Sequence, residues 1–238
     1  MGVKTLTING KEVSAKDGQT VLDVARENGI NIPTLCHMEG ISDIGACRLC
    51  LVEVEGSPKL HASCVTQCND GMVINVDTPK LQEYRRMILE LLFAEGNHVC
   101  AVCVANGGCE LQDLAVELGM DHVRWDYKFP KRGSDVTHKL YGMDHNRCVL
   151  CSRCIRVCDQ IEGAHTIDMC GRGSKDMIIH GLNQAWGEAE SCTSCGKCVQ
   201  SCPTGALFRK GTTVAEMRKD RGKLEFLVTA REKKQWRL

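Results

Sequence analysis

The chain has 238 residues, with 30 Lys or Arg balanced by 30 Asp or Glu, and only 4% aromatic residues among 43% hydrophobic ones. Zero formal charge excludes the global basic field of a nonspecific nucleic-acid binder, and the length suits one large domain or a few small ones with modest cores. Seventeen cysteines exclude an ordinary cytosolic enzyme, in which most thiols would be idle liabilities.

The start, MGVKTLTINGKEV, lacks the basic end, apolar run and cleavage site of a secretory signal. No stretch approaches 18 uncharged apolar residues, so membrane insertion is not expected. Many cysteines stand two residues apart, which is metal-ligand spacing more than disulfide spacing. These features place the chain in a reducing cytoplasm with its thiols on metal.

In residues 1–78, alternating apolar residues flank Asn9-Gly10, a hairpin signal because a type I′ turn needs positive φ at both central positions. A helix is predicted over 21–28, with Thr20 as N-cap, Gly29 just past the end, and Val21, Val24 and Ala25 inward. A Cys-bearing loop covers 36–50, and LVEVEG and MVINVD alternate as strands. Residues 79–96 read as a helix capped by Thr78 with Pro79 at its first position. Its buried stripe is predicted as Leu81, Tyr84, Ile88, Leu91 and Leu92. A second Cys-rich loop (98–109) and a short helix (ELQDLAVELG) complete a segment ending at 118. Residues 119–142, with Trp125, Tyr127, Pro130 and Gly133, read as an irregular connector. Residues 143–208 hold two copies of one cysteine pattern, an internal repeat. The tail, 209–238, has 10 Lys or Arg against 4 Asp or Glu and reads either as a solvated helix or as a docking arm for an acidic partner surface.

The repeat is the most specific signal. Cys148-x2-Cys151-x2-Cys154-x3-Cys158 is matched by Cys192-x2-Cys195-x2-Cys198-x3-Cys202-Pro203. Three thiolates so spaced wrap one cubane, and the fourth leaves on a helix to reach the other cluster. Cys148, Cys151, Cys154 and Cys202 are therefore assigned to one 4Fe–4S cluster, and Cys158, Cys192, Cys195 and Cys198 to its twin. Zinc, which uses two separated Cys-x2-Cys knuckles, fits this rhythm poorly. Asp159 stands where the common run has Pro, which removes no ligand. Lys197, Arg153 and Arg156 lie within the runs and could raise potentials, although solvation is the ordinary fate of each alone.

Cys36-x10-Cys47-x2-Cys50-x13-Cys64 offers a three-ligand loop and a distant fourth donor, suited to a 2Fe–2S cluster. Gly45 and Ala46 would let backbone N–H groups approach the sulfurs; zinc also satisfies these spacings. His98-x-Cys100-x2-Cys103-x5-Cys109 leaves a third 4Fe–4S cluster one thiolate short, and His98 can complete it and raise its potential. Cys68, Cys170 and water are the alternatives to His98. Four clusters need 16 donors, which fifteen cysteines and His98 supply. Cys68 and Cys170 remain as buried thiols.

Together, IPTLCHMEGISDIGACRLCLVEV with ASCVT, CAVCVANGGCELQ and the two four-Cys runs resemble the N-terminal relay segment of the large iron–sulfur subunit of NADH dehydrogenase. The same segment occurs in iron-only hydrogenases and some NAD-linked formate dehydrogenases. The family's ligand His stands four residues before the first Cys, where this chain has Gly96. GNHVCAVCVANGGCELQ is closer to the small diaphorase subunits of soluble, bidirectional NAD-reducing nickel–iron hydrogenases. The resemblance covers about residues 1–210 and implies an α+β chain. Its order is a β-grasp 2Fe–2S domain (1–78), a His/Cys 4Fe–4S domain (79–118), a connector (119–142), a two-cluster 4Fe–4S ferredoxin domain (143–208) and a basic docking tail (209–238).

Catalytic motifs are lacking. There is no G-x-G-x-x-G, since Gly171-Arg172-Gly173 lacks the third glycine. There is no Walker A pattern and no second Cys-x2-Cys pair beyond Cys202 for a nickel site. FMN and NAD are expected on a partner. The resemblance thus implies a non-catalytic relay of single electrons between a flavin-containing, NADH-oxidising diaphorase subunit and hydrogenase small and large subunits. The alternatives are the same role in a formate dehydrogenase or NADH dehydrogenase, a zinc scaffold, and a free ferredoxin.

Overall fold

Asn9 and Gly10 take φ of 50° and 77°, both positive as the predicted turn requires, and join β1 (Val3–Ile8) to β2 (Lys11–Lys16). In this computed structural model, which describes residues 2–221 and residue 224, alternation puts Leu6 and Ile8 of β1 and Val13 and Ala15 of β2 in the core. Helix α1 (Val21–Glu27) follows. The Thr20 hydroxyl accepts from Asp23 N while the Asp23 carboxylate accepts from Thr20 N, a reciprocal cap. Val21, Leu22, Val24 and Ala25 are buried against the sheet residues. Strands β3 (Leu51–Val54), β4 (Leu60–Ala62) and β5 (Val73–Asn75) complete a five-stranded sheet in the order β2-β1-β5-β3-β4. β1 and β5 run parallel and the other pairs antiparallel. This mixed sheet with one packed helix is the expected β-grasp arrangement.

Helix α2 (Pro79–Glu95) differs from its predicted stripe. Leu81, Arg85, Leu89 and Ala94 are buried, whereas Tyr84 and Leu91 are exposed. The cause is polar. Arg85 turns inward to donate Nε to Leu49 O (3.0 Å) and Nη2 to Leu51 O (2.8 Å), which rotates the buried face away from Tyr84. Helix α3 (Glu110–Glu117) follows the second Cys loop.

Packing divides the chain into two units: Met1–His37, Asp43–Leu91 and Leu114–His122 form the first, and Met38–Ser42, Leu92–Asp113 and Val123–Leu238 the second. The 98–109 loop falls in the second unit, with the repeat. In the second unit, β6 (Ser134–Asp135) and β7 (Tyr141–Asp144) end the connector. Helix α4 (Arg153–Val157) continues into a π-type turn over Cys158–Glu162, and β8 (Ile167–Cys170) pairs with β9 (Met177–His180). Helix α5 (Lys197–Ser201) leads to β10 (Leu207–Arg209), which joins β7 and β6 in a three-stranded sheet.

The described part of the tail binds its own unit. Ala215 N donates to Cys103 O (3.1 Å) and Met217 N to Val104 O (2.9 Å), while Lys219 Nζ donates to Val199 O (2.8 Å) and Thr204 O (3.2 Å). The rest of the expected docking tail, Leu224 apart, lies outside the described residues. Cys68 is buried as expected. Cys170 is exposed at the end of β8, because the short β8–β9 hairpin leaves that end uncovered.

Candidate metal centres

The first donor set lies in the first unit. The 36–50 loop and the turn that follows β4 bring Cys36, Cys50 and Cys64 into burial and leave Cys47 half-buried. The four are linked in a chain, Cys47 to Cys36, Cys36 to Cys64 and Cys64 to Cys50. Cys36 N donates to Cys47 Sγ (3.4 Å) and Cys47 N to Cys36 Sγ (3.5 Å), and Cys50 Sγ stands 3.5 Å from Cys64 Sγ. Gly45 (φ 61°) turns the loop, and Ala46 supplies a backbone hydrogen bond to the Cys36 sulfur. Hydrogen bonds from the Cys47 and Cys64 side chains pull the Cys36 thiol down to about 2, and one from Cys64 lowers Cys50 to about 6. Cys47 and Cys64 move upward in return, led in each case by the Cys36 side chain. Thiols that share protons in this way are poised to bind metal as thiolates.

Among the described residues of the second unit, three cavities are each lined by one complete donor set predicted from the sequence. One is lined by Cys148, Cys151, Cys154 and Cys202. Another is lined by Cys158, Cys192, Cys195 and Cys198, and the last by His98, Cys100, Cys103 and Cys109. The repeat is visible in the backbone. Leu150 (φ 51°) and Ser152 (φ 54°) in the first loop correspond to Ser194 (φ 58°) and Gly196 (φ 71°) in the second. Left-handed non-glycine residues cost of order 1–3 kcal/mol each and cluster where a site demands them. Here the paired kinks turn three side chains of each loop toward one centre before α4 and α5 begin.

Most of these thiols are buried, while Cys100, Cys148 and Cys192 are half-buried and Cys195 is exposed. Burial is the leading cause that raises Cys148 to about 12 and Cys151 and Cys109 to about 11, with Cys154 and Cys198 also raised. Thiolate ligands would therefore be made by metal binding and proton release. Among the described residues no three His, Cys, Asp or Glu side chains converge closely enough for a single ion.

His98 fits as a donor. Burial lowers its pKa to about 4, so the ring is neutral. It bonds the backbone of Leu92, and its buried Nε2 has no hydrogen-bond partner among the described residues. The Leu92 contact therefore belongs to Nδ1–H and leaves the Nε2 lone pair bare, the tautomer a metal needs. A Cβ at Gly96 would lie 2.4 Å from that Nε2. The imidazole thus occupies space beside position 96, where the wider family has its histidine. Gly205 plays a similar part: a Cβ there would lie 2.4 Å from Cys103 Sγ.

Arg153 and Arg156 do not follow the solvated reading. Both are buried. Arg153 forms a two-point pair with Glu110, Nη1–Oε1 at 2.9 Å and Nη2–Oε2 at 2.8 Å, and Arg221 pairs with the same carboxylate. Arg156 donates to Ser42 O (2.6 Å) and Cys151 O (3.1 Å). Lys197 pairs with Glu162. Arg85, Glu110, Thr204 and Trp186 are absent from the sequence-based site. Trp186 carried a usable cue, since it is one of three tryptophans and stands six residues before Cys192.

Comparison with known proteins agrees with this geometry. Residues 4–79 match a family model described as a 2Fe-2S iron-sulfur cluster binding domain, and residues 85–124 match the NADH-ubiquinone oxidoreductase-G iron-sulfur binding region. Residues 139–208 match the ferredoxin-like domain of NADH-quinone oxidoreductase subunit 3. The chain is 34% identical over 206 residues to the gamma subunit of the NAD-reducing hydrogenase HoxS of Cupriavidus necator, covering 86% of each. It is 36% identical over 206 residues to the alpha subunit of the NADPH-Fe(3+) oxidoreductase of Geobacter sulfurreducens, covering 87% of this chain but only 24% of that protein. The chain thus spans about a quarter of the length of several curated relatives. A crystal structure of NAD+-reducing [NiFe]-hydrogenase in the H2-reduced state contains a chain of 34% identity and TM-score 0.83, with 88% of each covered. Among the described residues no helix is long and apolar enough to cross a membrane.

Proposed function

The chain belongs to the family of the gamma chain of NAD-reducing hydrogenase, and from that premise we propose that it is the four-cluster electron relay of such a complex. The observation that carries the reading is the set of three cavities of the second unit, each bounded by one four-donor group, together with a fourth, mutually hydrogen-bonded group of cysteines in the first unit. Cys36, Cys47, Cys50 and Cys64 would hold a 2Fe–2S cluster. His98, Cys100, Cys103 and Cys109 would hold a 4Fe–4S cluster. Cys148, Cys151, Cys154 and Cys202 would hold a second, and Cys158, Cys192, Cys195 and Cys198 a third. Such clusters, when bound, accept and return electrons one at a time.

The chain's own residues do the positioning. Thr204 lines two of the cavities, and Gly205 lines one with its backbone against Cys103, so the Cys202–Gly205 stretch is a short wall between two centres. Burial excludes water from most donors. Buried Arg156, which donates to Cys151 O, would place positive charge beside that donor set, an arrangement that favours the reduced state, while the charge of Arg153 is matched by Glu110. FMN and NAD chemistry is assigned to a flavin-bearing, NADH-oxidising partner, and hydrogen chemistry to hydrogenase small and large subunits, in a reducing cytoplasm.

Affinity purification of the tagged chain from its source under anaerobic conditions tests the partners. Copurifying nickel, flavin and hydrogen-dependent NAD reduction are expected. Formate dependence with molybdenum or tungsten would instead assign the relay to a formate dehydrogenase.

A further inference from the structure

The two cubane sites of the repeat share a rhythm and a backbone path but not their surroundings. One wall of the cavity lined by Cys158, Cys192, Cys195 and Cys198 is the indole of Trp186. Among the described residues no tryptophan or histidine lines its twin. Trp186 is 1% exposed, and its Nε1–H donates to Cys192 Sγ at 3.4 Å. A second ring donor points at the same sulfur. His138 Nδ1 accepts from the backbone N–H of Leu140 and Tyr141, which leaves the proton on Nε2. That nitrogen stands 3.1 Å from Ser194 Oγ and 3.8 Å from Cys192 Sγ.

The indole is held in place from all sides. His180 stacks on it at 4.3 Å and 6°, His138 lies against it at 4.9 Å, and Tyr141 extends the stack. The backbone N–H of Trp186 donates to Asp135 Oδ2 at 2.7 Å, and that of Gly187 to Thr137 Oγ1 at 2.9 Å. Gly187 has no space for a side chain, since a Cβ would lie 2.6 Å from Thr137 O. A fully buried aromatic ring needs a partner for its N–H, and here that partner is a ligand sulfur. Three rings and two backbone anchors fix the direction of this one donor.

We propose that Trp186 sets the reduction potential of the cluster held by Cys158, Cys192, Cys195 and Cys198, by donating its indole N–H to the Cys192 thiolate. The proposal rests on the ligand assignment given under Proposed function. Reduction adds negative charge that spreads onto the ligand sulfurs, so a fixed N–H donor stabilises the reduced form more than the oxidised form and raises the potential. The repeat alone would give two near-equal centres; the indole makes them unequal. Trp186 is a positioning residue, since it acts through Cys192.

The test is an EPR-monitored redox titration of the anaerobically purified full chain, unmutated and as Trp186→Phe. Phenylalanine keeps one aromatic ring in the stack and removes the N–H together with the pyrrole half of the indole. The signal of this site is identified as the one lost in Cys195→Ala. In Trp186→Phe its reduction equilibrium constant is expected to fall roughly threefold to tenfold, tenfold being about 59 mV for a one-electron couple, while the other clusters keep their potentials. Full iron content with an unmoved potential overturns the proposal.

Should Trp186→Phe lose the cluster, fluorotryptophan is incorporated into a Trp125→Phe/Trp236→Phe chain, which makes the N–H of residue 186 more acidic without removing it. The potential of this site is then expected to rise, and an unchanged value overturns the proposal. A Cys195→Ala chain that loses no signal would instead overturn the ligand assignment beneath it, so the two failures are distinguishable.

Discussion

Replacing Gly205 by alanine puts the site geometry under direct strain. An added Cβ would lie 2.4 Å from Cys103 Sγ and 3.3 Å from Ala105 Cβ. Carbon and sulfur need well over 3 Å, so either the Cys103 side chain or the 203–206 backbone must move by about an ångström. Cys103 is not free to follow: its N–H bonds Cys100 O, and its carbonyl accepts from Ala215 N. Position 205 has no left-handed φ, so alanine adds steric cost without backbone cost. Overpacking of this kind costs typically about 1–3 kcal/mol, and here it falls on a ligand. The expected outcome is selective loss of the His98-Cys100-Cys103-Cys109 cluster, about four irons per chain, with the other EPR signals kept. Gly133→Ala is the control, since a Cβ there meets nothing within 4 Å. Iron content and spectra of Gly205→Ala equal to those of Gly133→Ala would refute the packing argument and the place of Cys103 beside this wall.

Other consequences are equally open to measurement. His98→Cys should keep a cluster but lower its potential, because an anionic ligand replaces a neutral one; an unmoved potential in a redox titration would remove His98 from the ligand set. Glu110→Gln leaves Arg153 without its two-point carboxylate and should cost about 3 kcal/mol or more, read as a lower urea midpoint; an unchanged midpoint would show that the pair is not structural. Burial lowers His180 to about 4, against an unfolded value near 6.5, so the unfolded chain binds the extra proton between these limits. Stability from this group is complete above about pH 6.5 and falls as pH drops toward 4, by about 2 kcal/mol between pH 7 and 5. His180→Phe should flatten that part of the urea-midpoint profile, and an unaltered slope would contradict the assignment.

Local features of the fold are legible in the sequence because local chemistry decides them. Asn9-Gly10 forces a hairpin, and Thr20 with Asp23 closes a cap, whatever the rest of the chain does. The parallel pairing of β1 with β5 is not legible, since residues more than sixty positions apart must meet for it. The α2 stripe departs from its periodicity for a definite reason. Hydrophobic spacing favours Tyr84 and Leu91 as buried, but the carbonyls of Leu49 and Leu51 draw Arg85 inward, and no sequence pattern announces that demand. The burial of Arg153 is hidden in the same way, because its partner Glu110 lies 43 residues away. The cysteines that line each cavity are readable because their spacing within each run places them on one loop and the helix that follows it. The residues that surround the donors, Trp186 and Gly205 among them, come from segments whose spacing no metal dictates.

The account depends on iron rather than on any other occupant of these thiols. The most direct measurement is the iron, zinc and acid-labile sulfide content of the anaerobically purified full chain. It should give about 14 irons and about 14 sulfides per chain, from one 2Fe–2S and three 4Fe–4S clusters. About four metal ions per chain, mostly zinc and without labile sulfide, would contradict it.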